Sequence, residues 1–166
     1  MCRSVLIDLY NANLDYARRL LEGVDDDASI VQPAPGVNHP RWIIGHLAGT
    51  ADRVTGKIGL GLAQHYDDDF YAYFGIGSEP KADGSVYPPL EDLLERLTQR
   101  HEANIDALRD APEDLFGRTL SDDLPERFRA RFPTVGHVLV YTMAAHEQMH
   151  LGQLSTWRRV RGLGCV

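Results

Sequence analysis

The sequence has little of what marks a secreted or membrane-spanning protein. Cysteine occurs only twice, as Cys2 and Cys165, so a disulfide framework is excluded and free thiols in a reducing compartment are expected. Residues 1–10 lack a signal-peptide pattern, and no apolar run is long enough to span a bilayer. These absences predict a soluble, cytoplasmic protein.

Positive charge is also scarce. The 17 lysines and arginines are outnumbered by 24 aspartates and glutamates, which leaves a net charge of −7. An acidic chain without a basic stripe is a poor partner for nucleic acid or for an anionic membrane surface. We therefore expect no nucleic acid and no membrane among its partners.

What is present is ordinary for a globular protein. The hydrophobic fraction is 43% and the charged fraction is 25%. A chain of 166 residues is long enough to bury a substantial core within one domain. No internal repeat divides it, so we expect residues 1–166 to form a single domain.

Apolar residues recur at intervals of three and four in several segments, which is the spacing of amphipathic helices. These segments are residues 4–22, 40–54, 90–111 and 135–161. Pro40 suits a first helical turn, Thr134 suits an N-cap, Pro112 stops the third helix and Gly162 stops the fourth. The pattern predicts an all-α four-helix bundle with long inter-helix connections.

The connection over residues 59–89 is the least regular part and contains an aromatic patch at 70–74. So long a connection is often functional. We expect either a lid or pocket wall, or a loop packed over the end of the bundle or against a partner subunit. In the next connection, charged and apolar residues alternate over 126–132, which predicts an extended piece or hairpin arm.

The segment with the most chemical information is AHEQMHLGQ at 145–153. His146 and His150 are four residues apart, so on a helix they share one face and can bind a single metal ion. Both lie on the predicted apolar stripe, and His46 lies on or beside the apolar stripe of the second helix. Three protein ligands and an open position are typical of a catalytic metal site. We expect a divalent ion, zinc or nickel first, with iron or manganese as alternatives.

Two further residues of this segment are candidates for a catalytic role. Glu147 borders the histidine face and could act as an acid or base. Gln153 lies one turn beyond His150 and could orient a ligand or substrate. Three neutral imidazoles without a carboxylate or thiolate leave the site with two positive charges, which favours an anionic ligand such as hydroxide or thiolate.

His146 to His150 also spell H-E-x-x-H, the zinc-protease signature in which Glu147 would be the general base. Such proteases usually take their third ligand from downstream of the motif. Only sixteen residues follow His150, and none is His, Asp or Glu. A zinc hydrolase is therefore the weaker alternative.

These residues resemble the DinB/YfiT-like superfamily. The similarity covers NHPRWIIGHL at 38–47 and H-x-x-x-HLGQL at 146–154, followed by Arg158, Arg159 and Gly162. The resemblance implies a four-helix bundle, often a homodimer, with a metal bound by His46, His146 and His150. Characterised relatives include transferases and isomerases that use the low-molecular-weight thiols bacillithiol or mycothiol, and many members have no known activity.

Two functions remain open at this point. The first is a metal-dependent enzyme, such as a thiol S-transferase, with a small-molecule substrate and a low-molecular-weight thiol as partner. The second is a non-catalytic metal-binding or dimeric stress-related module. A fourth protein ligand such as His65 or His101 would close the site and favour the second function.

Overall fold

The structure, a computed structural model, describes residues 3–166. No β-strand occurs within this range, which confirms the all-α class. Cys2 lies outside the described residues, and Cys165 is exposed. No helix in the described range is both long and apolar enough to cross a membrane.

The helices follow the predicted periodic segments closely. Their bounds are α1 Arg3–Leu21, α2 Asp26–Ser29, α3 Pro40–Thr50, α4 Asp68–Phe74, α5 Leu90–Asp110, α6 Glu126–Arg131, α7 Val135–Val140 and α8 Glu147–Val160. The π-helical segment Ala51–Leu60 continues α3, and a second, Tyr141–His146, joins α7 to α8. In the described chain, the long helical stretches are thus α1, α3 with its π extension, α5, and α7 through α8.

Local sequence explains most of the helix ends. His39 caps α3, because its Nδ1 accepts a hydrogen bond from the Trp42 N–H at 3.1 Å. Gly162 follows α8 with a φ of +75°, the left-handed conformation that the prediction of a glycine stop requires. Thr134 occupies the predicted N-cap position before α7, but its side chain makes no capping hydrogen bond. Its hydroxyl lies 2.8 Å from Nδ1 of His137 and caps no backbone N–H.

The short helices α2, α4 and α6 lie where the sequence predicted none. Asp67 starts α4 within the irregular connection, because its carboxylate accepts from the Phe70 N–H at 2.9 Å. The extended piece predicted over residues 126–132 is instead the helix α6. The reason is that Phe128 and Phe132 are four residues apart and pack together, with ring centroids 4.9 Å apart.

The long helical stretches bury two apolar clusters. The first cluster includes Leu14, Trp42, Ile43, Leu97, Leu151 and Trp157, and the second includes Leu6, Tyr10, Leu108, Leu139 and Met143. Helix α3 packs against α5 and α8, and α1 packs against the same two helices. Along α1, α5 and the last stretch, buried polar residues lie between the two clusters: Asn13, His101, Asn104 and Glu147.

The π-helical segments place extra residues where the sequence pattern assumed an uninterrupted α-helix. The second of them ends at His146, one of the three histidines predicted to bind metal. π-helical turns within α-helices are frequently found at functional sites. The candidate site therefore lies at an irregularity of the last helical stretch.

Candidate metal centre

The structure brings together the three histidines predicted as ligands. One ring nitrogen from each of His46, His146 and His150 lies within 4.8 Å of the others. The Nε2 atoms of His46 and His146 are 3.3 Å apart. Within residues 3–166 no other group of three or more histidine, cysteine or acidic side chains is arranged to hold a metal ion.

Two of the three rings are oriented by hydrogen bonds at Nδ1, the outer nitrogen of each ring. Nδ1 of His46 lies 2.7 Å from the carbonyl oxygen of Phe74, which can only accept, so the ring donates there and Nε2 is left with a free lone pair. Nδ1 of His150 lies 3.2 Å from Oε1 of Gln153, and Asn38 donates to the same oxygen at 3.0 Å. An amide oxygen that already accepts from Asn38 favours the Nδ1–H form of His150 as well.

Aromatic packing fixes the plane of the first histidine. The indole of Trp42 stacks on the His46 ring at a centroid distance of 4.7 Å and an angle of 8°. The indole N–H in turn donates to the Ser78 hydroxyl at 3.1 Å. The ring of His46 is thus held between a carbonyl acceptor and a stacked neighbour, as a preorganised ligand requires.

Burial keeps the three rings neutral. It lowers the pKa of His46 below its ordinary value near 6.5. Burial, followed by the neighbouring His150 and His46, lowers the pKa of His146 to about 3. Burial and then His46 lower the pKa of His150 to about 4. At neutral pH all three rings carry lone pairs, which is the form that binds metal.

The geometry of the cluster fits a divalent ion. Two nitrogens bound to tetrahedral zinc at the usual bond length lie about 3.3 Å from each other, which matches the separation of the His46 and His146 Nε2 atoms. Nδ1 of His146 is buried without a hydrogen-bond partner, so no hydrogen bond at that nitrogen fixes the orientation of the ring. The cluster therefore has the donor chemistry for a divalent metal ion, with two of its three rings oriented by hydrogen bonds at their outer nitrogens.

The remaining predicted ligands lie elsewhere. His101 is buried, with its Nε2 2.9 Å from the Glu147 carboxylate, and His65 is exposed at the start of the connection before α4. Neither belongs to the cluster. Among the described residues no fourth His, Cys, Asp or Glu joins the three histidines, so protein side chains do not close the site.

Glu147 points away from the histidines into a buried polar network. Its carboxylate lies 2.9 Å from Nε2 of His101 and accepts from the Asn13 amide at 3.1 Å. The His101 ring stacks on Tyr10 at a centroid distance of 3.6 Å. Nδ1 of His101 is buried without a partner. The contacts of Glu147 thus belong to α1 and α5, and this placement does not suit a general base acting at the metal.

The side chain of Gln153 already makes hydrogen-bond contacts beside the cluster. Its side-chain oxygen contacts both His150 and Asn38, so it can orient a ligand of the metal, one of the roles its spacing suggested. Met149 on the same helix is 51% exposed. It lies at the edge of a cavity beside the histidines.

That cavity has a volume of about 540 Å³ and is lined by two of the histidines, His46 and His146. A second cavity of about 400 Å³ shares His46 and several other residues with it. Tyr141 and Phe132 contribute aromatic walls to the larger one. A small molecule in this space would lie directly against the candidate metal ligands.

Sequence reasoning missed Asp52, which organises the connection that forms one side of this region. Its buried carboxylate accepts from the backbone N–H groups of His65 and Tyr66 at 3.0 and 3.1 Å, from the Tyr71 hydroxyl at 2.5 Å and from Arg100 at 3.2 Å. The sequence did contain one signal for Asp52. It lies four residues after Ala48, which places it on the buried side of the same helical stretch.

Comparison with known proteins assigns the family. The sequence profile of the DinB superfamily matches residues 9–154. The chain belongs to the DinB superfamily. No curated protein sequence matches it. Membership and the histidine cluster together fit a metal-binding protein of this superfamily.

Proposed function

We propose that this DinB-superfamily protein is a metal-dependent enzyme of the thiol S-transferase type. The observation that carries the proposal is the three-histidine cluster. Hydrogen bonds at the outer nitrogens orient two of its rings, and no fourth protein ligand joins it in the described residues. A site of that composition leaves room for an exogenous ligand. Zinc and nickel are the ions we expect, because neutral imidazoles suit both.

In this proposal each part of the chain has a distinct role. His46, His146 and His150 hold the ion, while Phe74 and Gln153 orient two of the rings. A divalent ion held there supplies the positive charge that favours the thiolate form of a low-molecular-weight thiol. The cavity beside His46 and His146 receives the substrate and limits its contact with water.

The proposal extends to the organisation of the protein. The long helical stretches form the four-helix bundle of the DinB/YfiT-like type, and residues 1–166 act as one domain. We expect the active form to be a cytoplasmic homodimer, as the family resemblance implies.

Metal content tests the first part of the proposal. Wild-type protein and His46→Ala are purified in parallel and analysed by elemental mass spectrometry. We expect one zinc or nickel per wild-type chain and a large loss in the variant. Equal occupancy in the two proteins would show that His46 is not a ligand.

Thiol transfer tests the second part. The metal-loaded protein is incubated with low-molecular-weight thiols, bacillithiol and mycothiol included, and the electrophile monochlorobimane. Conjugate formation should exceed that of the metal-free protein. A protein that binds metal but accelerates none of these reactions would instead be the non-catalytic metal-binding module that the sequence left open.

A further inference from the structure

The cavity beside the histidines has a charge opposite to that of the whole protein. The chain carries a net charge of −7, yet neither of the two cavities that share His46 has an aspartate or glutamate in its lining. Arg127 lines both of them, Arg131 lines the larger one and Arg53 lines the smaller one. The arginines and the candidate cation site therefore form one positive region.

These three arginines form no ion pair within the part of the chain that the structure describes. The ion pairs of the described residues engage the arginines at 18, 41, 100, 109, 118 and 129, and none involves the three that line the cavities. Arg131 lies over the rings of Phe132 and Tyr141, 5.2 and 4.8 Å from their centroids. Stacking of this kind holds a guanidinium in place while its N–H groups stay free for an anion.

The rest of the lining is mainly apolar. Val54 and Phe128 line both cavities. Ile76 also lines both, although it is 86% exposed, the most exposed of the large hydrophobic side chains in the described chain. It lies between Gly75 and Gly77 at the end of α4. A large apolar side chain exposed at the edge of a cavity gains burial when a ligand with an apolar body fills that cavity.

We infer that this cavity binds a small organic anion, in which a carboxylate pairs with Arg127 and Arg131 while an apolar body lies against Phe128 and Ile76. The inference rests on the proposed function, because it names the chemical class of the substrate that reaches the histidine site. Guanidinium groups suit this role since their N–H groups can pair with a carboxylate through two parallel hydrogen bonds.

The position of Arg131 would place the anion near the histidines. Its guanidinium lies 4.8 Å from the centroid of the Tyr141 ring, and that ring lies 5.7 Å from the ring of His146. An anion at Arg131 therefore lies within electrostatic reach of the candidate metal centre. This arrangement would hold the charged end of the substrate and leave the rest of it beside His46 and His146.

Calorimetric titration of the full-length, metal-loaded protein with matched probes tests the inference. The probes are 3-phenylpropionate, 5-phenylpentanoate and octanoate, each paired with its neutral primary amide. At least one carboxylate should bind about tenfold or more tightly than its amide, as a charge-assisted hydrogen bond implies. The double variant Arg127→Gln/Arg131→Gln should bind the carboxylate and the amide equally.

Two further variants separate a specific site from general charge. Arg129→Gln removes an arginine of the same helix, one that pairs with Asp122 at 2.8 Å, and it should keep the preference for the carboxylate. Arg127→Lys/Arg131→Lys retains both charges and should keep part of it. This second variant also shows whether any loss in the glutamine variant reflects misfolding.

The inference is overturned by any of three results. These are the absence of a carboxylate preference in every probe pair, a preference that survives the double glutamine substitution, and an equal loss in Arg129→Gln. Metal content is measured on the same samples. Full metal occupancy without a carboxylate preference contradicts only this inference, whereas a wild-type protein that binds no metal contradicts the proposed function itself.

Discussion

His146 and Glu147 are adjacent in the chain, but their side chains enter two buried polar regions of opposite character. His146 joins His46 and His150 in the cluster, where the Nε2 atoms of His46 and His146 converge to 3.3 Å. Glu147 joins Asn13 and His101, where both carboxylate oxygens have hydrogen-bond partners. One helical turn thus supplies an open cluster of acceptors and a closed network.

This difference in hydrogen bonding gives the two regions different roles, one in ligand binding and the other in the stability of the fold. Buried polar groups are nearly always paired. Both oxygens of the Glu147 carboxylate meet that rule through contacts with α1 and α5, while Nδ1 of His101 is the one unpaired atom in that network. The histidine cluster does not meet the rule, since its converging acceptors repel until a cation or proton lies between them. The closed network therefore supports the fold, and the open cluster is available for a ligand.

Glu147→Ala should have the largest effect on stability. Removing the carboxylate leaves Asn13 and His101 without their buried partner, and each buried polar group left unsatisfied costs about 1–3 kcal/mol. Chemical denaturation should show this loss, while metal stoichiometry stays at the wild-type value. Glu147→Gln, which keeps an acceptor for Asn13, should lose less. A variant that loses metal but keeps its stability would place Glu147 in the metal site instead.

His146→Ala should have the reverse effect. Losing a direct ligand should weaken metal affinity by more than the about 10–100-fold typical of losing a supporting contact. The unfolding free energy of the metal-free variant should change by less than about 1 kcal/mol, because this ring makes few stabilising hydrogen bonds. Competition with a chelator measures the affinity. Unchanged affinity would contradict the assignment of His146 as a ligand.

Gln153→Ala should weaken metal binding by about 10–100-fold, because it removes the partner that orients the His150 ring. Gln148 offers a matched control on the other face of the same helix, since its amide donates to Asn13. Gln148→Ala should therefore leave metal affinity unchanged. Equal effects of the two substitutions would show that Gln153 has no special role.

Acid should destabilise the metal-free protein. The pKa values of His146 and His150 are about 3 and about 4 in the folded protein, below the ordinary value near 6.5 of the unfolded chain. The unfolded state therefore takes up protons first as the pH falls below 6.5. Stability should drop by up to about 1.4 kcal/mol per pH unit for each histidine. The variant His146→Gln/His150→Gln should show a shallower dependence, and an equal slope would contradict this account.

Much of the fold could be predicted from the sequence because the long helices carry continuous apolar stripes. The same stripes placed His46, His146 and His150 on buried faces, and the four-residue spacing of the last two indicated a shared ligand. The short helices α4 and α6 could not be predicted in this way. Each has too few residues to display a repeating apolar stripe, and one capping aspartate in α4 or one pair of phenylalanines in α6 is too little to distinguish a helix from a loop.

The separation of Glu147 from the metal centre was also beyond sequence reasoning. Its partners, Asn13 and His101, lie 134 and 46 residues away in the chain, and no local pattern links such positions. The same limit applies to Asp52, whose partners become neighbours only when the connection before α4 folds back. Helical spacing shows which side of a helix a residue occupies, and tertiary packing decides what it meets there.

The most direct test of the open histidine cluster is a crystal structure of the metal-loaded protein with anomalous scattering measured at the absorption edge of zinc or nickel. We predict one anomalous peak per chain, bonded to the Nε2 atoms of His46, His146 and His150, with at least one coordination position not taken by a protein side chain. A peak away from these histidines, or a fourth protein ligand that closes the site, would contradict the account.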